Sequence, residues 1–268
     1  MKDKVVVITG ATSGIGKALA YEFAAKGSKV VIGARRHELL IGIAEDIKLK
    51  GGDVAYAAVD VSNETDCKNL IVTAVERFGK IDVLINNAGI SMRALFDEVD
   101  LSVIRKLMEV NFWGTVYCTK YALPFLLKEK GSVVGVSSVA GIKGLPGRTG
   151  YSASKFAMKG LMESIRIENL KKGLHVLMAY PGFTSSNIRN TSLTADGSQQ
   201  GESPRDEGKM MTAEDVAAHI YRAVKHRKNS LVLTTQGKLT VWINKFCPNW
   251  LDKMVYREMA KEADSPFK

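Results

Sequence analysis

Tyr151-Ser-Ala-Ser-Lys155 sets a phenol and an ammonium at i and i+4, on one face of a helix, so a proton-bearing oxygen stands beside a cation. Spacing alone is weak ground in a chain with eight tyrosines, and a second such pair occurs at Tyr221-Arg-Ala-Val-Lys225. Context separates the two. Thirteen residues before Tyr151 stands Ser138, just past the strand-like run Ser132–Ser137, whereas the thirteenth residue before Tyr221 is Gly208. Ser138 therefore sits at the carboxyl end of a strand, where open α/β sheets bind ligands. Tyr221 and Lys225 are assigned to an ordinary surface helix.

A second chemistry-bearing pattern follows the first strand: Thr9-Gly10-Ala-Thr-Ser13-Gly14-Ile15-Gly16. Gly10 permits a tight exit from the strand, Gly14 lets backbone approach a pyrophosphate, and Gly16 allows close helix–strand packing. Phosphates would rest on the free N–H groups of a helix opening near Gly14. The spacing is G-x-x-x-G-x-G, and a glycine-rich turn without ligand is the bland alternative. Its place between strand one and helix one favours a dinucleotide. The second strand, Val30-Val-Ile-Gly-Ala34, ends in alanine where NAD binders carry an acid for the ribose hydroxyl, and Arg35-Arg36 follow. Two cations at a helix N-terminus oppose the helix dipole, a cost that a neighbouring 2′-phosphate would offset. The expected cofactor is NADP(H); the competing reading is a pair of solvated arginines.

The elements that must hold these residues alternate along the chain. Strands are read at Lys4–Thr9, Lys29–Ala34, Asp53–Val59, Ile81–Asn86, Ser132–Ser137, His175–Ala179 and Ser230–Thr234, nearly all apolar, as for strands covered on both faces. Helical patterns lie between them; the first carries apolar residues at 15, 18, 19 and 23 and ends at Gly27. Such alternation predicts right-handed crossovers and an α/β fold with one doubly wound parallel sheet of about seven strands. The polar stretch 184–211 is too long for an ordinary connection and reads as a lid or a disordered segment. Thr212-Ala-Glu-Asp215 reopens a helix with an N-cap and an acid three residues later.

Composition excludes several classes. Hydrophobic residues at 46% and charged residues at 25% are ordinary globular usage. Cys67, Cys118 and Cys247 are scattered and odd in number, which argues against a disulfide framework or a cysteine zinc site and fits a reducing, cytoplasmic setting. No apolar run reaches ~18 residues, so no membrane-spanning helix is expected, and Met1–Lys4 leads directly into a strand, leaving no signal peptide to expect. The net charge of +10 is uneven. Residues 219–268 carry ten basic and four acidic side chains, +6 in all, leaving +4 for the other 218. Without a recognition motif, a nucleic-acid partner is not expected.

The ordered set Thr9-Gly-x-x-x-Gly-Ile-Gly16, Asp60-Val61, Asn86-Asn-Ala-Gly89, Asn111, Ser138, Tyr151-x-x-x-Lys155 and Pro181-Gly182 strongly resembles the classical short-chain dehydrogenase/reductases, over about residues 4 to 235. The resemblance implies a Rossmann-type domain over 1–235, commonly a homodimer or homotetramer, and hydride transfer between a nicotinamide and a carbonyl or alcohol. It gives Tyr151 the proton at the substrate oxygen and Ser138 a hydrogen bond to that oxygen. A tyrosine with an ordinary pKa of about 10 serves poorly at neutral pH, and Lys155 at ~6 Å is expected to lower it by about two units. Lys155 also binds the nicotinamide ribose by this resemblance, and Asn111 holds a water linking the lysine to solvent, unless it is a satisfied core amide. Asp60 and Val61 resemble the adenine-edge contact, Asn87-Ala88-Gly89 the segment lining the adenine side, and Pro181-Gly182 with Thr184 the turn gripping the carboxamide. Asn86 reads equally well as a structural residue of the strand-four turn.

Residues 236–268 form an amphipathic helical extension. Leu239, Trp242, Ile243 and Phe246, then Trp250, Leu251, Met254, Val255 and Met259, fall at helical spacing among lysines and around Pro248. A cover for the substrate pocket or a subunit interface is favoured, because amphipathic stripes usually face a core; a membrane interface is the second reading. This tail and Asn187–Ser198 are somewhat similar to the lipid-active members of the family, 3-ketosphinganine reductases and the acyl-dihydroxyacetone-phosphate type. The expected substrate is a lipophilic ketone, with a 3-oxoacyl thioester as the enzymatic alternative and a non-catalytic NADP-binding sensor as the alternative of another class.

Overall fold

The computed structural model describes residues 1–184, 188–201, 210–261 and 265. Seven parallel strands form one sheet: β1 (Val5–Thr9), β2 (Lys29–Ala34), β3 (Val54–Ala58), β4 (Val83–Asn86), β5 (Ser132–Val136), β6 (His175–Tyr180) and β7 (Ser230–Val232). Their order is β3-β2-β1-β4-β5-β6-β7. The chain winds outward from β1 in one direction, then returns to place β4 on its other flank. The strand ends β1 and β4 thus border the switch point where such sheets bind ligands.

The helices follow from the sequence pattern. α1 (Gly14–Ala25), α2 (His37–Leu49) and α7 (Ala213–Lys225) cover one face; α3 (Glu64–Phe78), α5 (Gly114–Lys128) and α6 (Thr149–Glu168) cover the other. Along β1 the side chains alternate: Val6 and Ile8 join Leu19, Phe23 and Ile220, while Val5 and Val7 join Leu70, Leu126 and Met158. Burial on both faces explains why the strands lack polar alternation. α4 (Leu101–Met108) runs through a π-helical turn, Glu109–Trp113, into α5. Thr212 caps α7, its Oγ1 accepting from the Asp215 amide at 3.1 Å, as the spacing predicts.

One expectation, the surface placement of Tyr221, is corrected. α7 is a surface helix on its outer side, where Arg222 and Lys225 are exposed, but Tyr221 is on its inner side, buried and meeting the Phe23 ring edge-on at 5.2 Å, because α7 packs against α1. The tail forms helices, α8 (Thr235–Phe246) and α9 (Pro248–Ala260), and within the single chain its apolar stripe is divided between buried, half-buried and exposed residues. Ile243, Leu251 and Met259 are buried, whereas Leu239, Trp242, Phe246 and Trp250 are exposed. The two helices pack on each other, and α8 also packs on the short turn Val139–Gly141, so one side of each is left uncovered. Of the stretch 184–211, residues 185–187 and 202–209 lie outside the described residues, as do Asn187 and tail residues 262–264 and 266–268. Residues 188–201 are pinned: Leu193 is buried, its amide donates to Ser91 O at 2.9 Å and its carbonyl accepts from the Arg93 amide at 2.8 Å.

Asp82 locks the sheet's amino end. Buried at the start of β4, it accepts from Lys4 Nζ at 2.6 Å and the Val5 amide at 2.9 Å, and pairs with Lys80 at 3.0 Å. Burial pushes its carboxyl up, but the bonds from Lys4, Val5 and Lys80 outweigh that and hold it below the ordinary carboxyl range. A depressed native pKa stabilises the fold above the unfolded-state value and stops doing so as pH falls through the native one. Asp82→Asn is therefore expected to cost about 2 kcal/mol at pH 7, a fall in Tm of roughly 4–8 °C. Thermal melts at a series of pH values should show the deficit shrinking in acid; a deficit independent of pH would contradict this account.

Candidate active site

The turn after β1 is built by close approach. Gly10 has φ +68°, and a Cβ at Gly16 would lie 2.2 Å from the Gly10 carbonyl oxygen, so side chains at both positions are excluded. The turn after β4 docks against it. Thr9 Oγ1 accepts from the amides of Asn87 and Ala88, both at 3.0 Å, and Asn87 Nδ2 donates to Thr9 O at 2.9 Å and Gly10 O at 3.3 Å. Asn87 thus clasps the two turns together. Asn86 serves the core instead, donating to Thr119 Oγ1 at 2.9 Å.

One cavity of about 650 Å³ opens above these turns, within the usual ~300–1,000 Å³ of ligand pockets. At one end lie Gly10, Ser13, Gly14, Ile15, Gly16, Arg35, Arg36, Asp60 and Val61; Asn87, Ala88 and Gly89 line its middle; Ser138, Tyr151, Lys155, Pro181, Gly182 and Thr184 line the far end. Every sequence-predicted site residue but Asn111 borders this space. The glycine end suits a pyrophosphate on local grounds. Ser13, the N-cap of α1, takes no side-chain hydrogen bond from the first turn, which holds no acid, so its amides have no internal anion. Arg35 and Arg36 are exposed beside it, at the start of α2, and Arg36 Nη2 donates to Thr12 Oγ1 at 3.0 Å. The residues present fit a dinucleotide.

Asp60 is held firmly. One carboxylate oxygen accepts from the Ser62 amide at 3.0 Å and the Ser62 hydroxyl at 2.7 Å. Burial acts to raise its pKa, yet the Ser62 bonds and the charges of Arg35 and Lys106 leave it lowered, an anion within a cationic rim.

At the far end, β5 delivers Ser138 and α6 delivers Tyr151 and Lys155. Lys155 is buried in the sheet's edge, its Nζ donating to Val136 O at 3.0 Å, and burial brings its pKa down to about 8. It stands 5.8 Å from the Tyr151 ring centre. The expected two-unit lowering of Tyr151 by this lysine is not what the site shows. Burial lifts the phenol above its ordinary value, and the groups working downward are Ser138, by a hydrogen bond, and Arg148, by its charge. Arg148 is the residue that sequence reasoning missed. It lies three positions before Tyr151, lines the cavity, is largely buried and donates from Nη1 to Met92 O at 2.7 Å. Only its nearness to the tyrosine in sequence could have signalled it.

Asn111 lies behind the cavity wall, in the π-helical turn. Its Oδ1 accepts from the Ile90 amide at 2.8 Å, and its Nδ2 donates to Ile90 O and Ser154 Oγ, both at 2.9 Å. The side chain is engaged as a core amide that fixes the Ile90 strand end and α6. It also faces Lys155 across Gly89: a Cβ there would stand 3.1 Å from Asn111 Oδ1 and 3.3 Å from Lys155 Nζ.

A family model described as short chain dehydrogenase matches residues 4–196. Among curated proteins, an "11-beta-hydroxysteroid dehydrogenase-like 4A" of Arabidopsis thaliana is 35% identical over 256 residues, covering 94% of this chain and 83% of that one. A "Dehydrogenase/reductase SDR family member 7B" of Mus musculus is 32% identical over 271 residues, covering 99% and 84%. Among solved structures, a short chain dehydrogenase/reductase of Burkholderia phymatum in complex with NAD superposes with a TM-score of 0.82 at 25% identity, covering 93% of this chain and 95% of that one. An alcohol dehydrogenase of Thermococcus sibiricus complexed with 5-hydroxy-NADP gives 0.76 at 26%, covering 86% and 94%.

The clasp at Thr9 gives a direct test. Thr9→Val would strand two amides that the hydroxyl now accepts, at about 1–3 kcal/mol each, whereas Thr9→Ser keeps both bonds. Urea unfolding should place the valine variant about 2–4 kcal/mol below the parent and the serine variant close to it; equal losses would mean that the hydroxyl is not the tie.

Proposed function

The chain belongs to the short-chain dehydrogenase family, and from that premise we propose that it reduces a lipophilic ketone with NADPH, Tyr151 supplying the proton. The observation that carries this reading is the shared cavity. Ser138, Tyr151 and Lys155 stand at one end of the space whose other end holds the uncapped start of α1 and the arginine pair. Gly10 to Gly16 and the α1 amides would hold the pyrophosphate, Arg35 and Arg36 the 2′-phosphate, Asp60 and Val61 the adenine, and Lys155 with Pro181, Gly182 and Thr184 the nicotinamide riboside. When bound, the reduced nicotinamide supplies hydride to the carbonyl carbon.

The protein's part is acid–base and electrostatic. The Ser138 hydroxyl and the Tyr151 phenol line the same end of the cavity and would both offer donors to one carbonyl oxygen. Burial keeps the phenol protonated at neutral pH, the state a proton donor needs. As negative charge grows on the substrate oxygen, Tyr151 passes it the proton, and Arg148 and Lys155 stabilise the phenolate left behind. Oxidation of the alcohol runs the same steps backward, with the phenolate taking the proton. A lipophilic substrate is supported by Leu145, Phe183, Ile188 and Leu193 around the catalytic end, and by the hydroxysteroid in the name of one relative.

Tyr151→Phe should lower turnover by roughly 10²–10⁴, the usual worth of a positioned acid, while leaving NADPH binding within a few-fold. Retained turnover would remove Tyr151 from the mechanism. Arg35→Ala should weaken NADPH by about 1.5–3 kcal/mol and NADH far less, since a charged bond to the phosphate is lost. Titrations of both cofactors decide this, and equal losses would leave the 2′-phosphate assigned to another group. Initial rates with steroid, long-chain and 3-oxoacyl ketones separate the lipophilic-ketone reading from a thioester reductase.

A further inference from the structure

On α8, Leu239, Trp242 and Phe246 follow one another at i, i+3 and i+7 and are 51%, 63% and 59% exposed. Trp242 and Phe246 touch ring to ring, with centres 5.4 Å apart, and the Lys245 ammonium lies 5.6 Å from the Phe246 ring centre. Trp250, in the first turn of α9, carries the exposed apolar surface past Pro248 at 56% exposure. The opposite sides of the helices are anchored, by buried Ile243, Leu251 and Met259 and by the Lys143–Asp252 ion pair, so the exposed sides are held in place.

The charges around this face are one-sided. α8 and α9 hold two acids, and both are already paired, Asp252 with Lys143 and Glu258 with Lys261. Lys238, Lys245, Lys253 and Arg257 are exposed and carry the remaining charge, all positive. Large aromatic side chains among unneutralised cations suit a surface that is apolar beneath and negatively charged above. A second copy suits it poorly. An isologous contact would set each patch against itself, bringing eight cations together (four per copy) around the aromatic contact.

We propose that the outer face of α8 and the start of α9 docks the protein on an anionic lipid bilayer, Trp242, Phe246 and Trp250 entering the interface and Lys238, Lys245 and Lys253 meeting lipid phosphates. The contact is peripheral: among the described residues no helix is long and apolar enough to cross a membrane. The docked segment adjoins the catalytic cleft. Val255 and Tyr256 of α9 border a second cavity of about 510 Å³ whose wall includes Leu145, a residue that also lines the catalytic space. The proposal stands apart from the identity of the ketone, because its observations lie outside the catalytic residues.

The test is co-sedimentation of the full chain with vesicles of phosphatidylglycerol and phosphatidylcholine, against pure phosphatidylcholine, at low and high salt. Binding should require the anionic lipid and weaken with salt. K238Q/K245Q/K253Q should bind on the order of a hundredfold more weakly, about fivefold per charge, and W242Q/W250Q at least tenfold more weakly. All variants should keep parental NADPH binding, since they alter exposed side chains away from the cofactor site. Brominated lipid should quench the tryptophan fluorescence of the unaltered protein, and this reads the contact without any substitution. Absence of binding, equal binding by the variants, or no quenching overturns the proposal. If W242Q/W250Q instead splits a dimer in sedimentation velocity while vesicles are ignored, the face is an interface between copies and the proposal fails.

Discussion

Two sharp turns, one after β1 and one after β4, must lie close enough to leave a cavity above them and no gap between them. The rest of the site depends on this contact. It excludes side chains at Gly10 and Gly16, and the tie is four hydrogen bonds across the switch point, two between Thr9 and Asn87, one from Asn87 to Gly10 O and one from the Ala88 amide to Thr9 Oγ1. Because the two turns belong to strands on either side of the reversal in winding, the tie also fixes the start of α1 relative to Gly89, and Gly89 relative to Lys155. One contact thus sets both ends of a pocket some 140 residues apart in sequence.

Electrostatics in that pocket are arranged around cations rather than around a single acid. Arg35 and Arg36 stand at the rim, Lys155 is buried at cost to its own charge, and Arg148 is held in the wall by Met92 O. Burial raises the phenol of Tyr151, while Ser138 and Arg148 limit how far it rises. The cations thus stand in two places, one pair at the exposed rim and one pair in the buried wall, where a charge acts over a lower local dielectric.

The catalytic end borrows its rigidity from structure on both sides. Asn111 ties Ile90 to Ser154 on α6, and the stretch 188–201, joined to residues 91–100 by backbone bonds, packs Leu193 against Met92 and Val103. Tyr151 is partly buried against that small cluster. A segment that reads as a lid or a disordered stretch is thus, where described, tied by backbone bonds and lines the pocket.

The sequence by itself determined the seven strands, their parallel winding and the set of residues around one cavity, because buried parallel strands must be continuously apolar and close-packed turns must be glycine. Strand positions were legible to within a residue or two, and so was the Thr212 cap, since both are local consequences of side-chain type. Tertiary structure alone decided the balance of energies between distant groups. Tyr221 carries the same spacing as Tyr151 but is buried against Phe23, a fact set by α7 meeting α1. Asn111 is hydrogen-bonded to Ile90 and Ser154, and burial is the largest influence on the Tyr151 phenol. In the tail the helical spacing predicted helices correctly, yet the side of the stripe that is covered depends on which elements are near, and of its residues Ile243, Leu251 and Met259 are buried. Periodicity reports that an apolar face exists; what lies opposite it is a property of the folded chain.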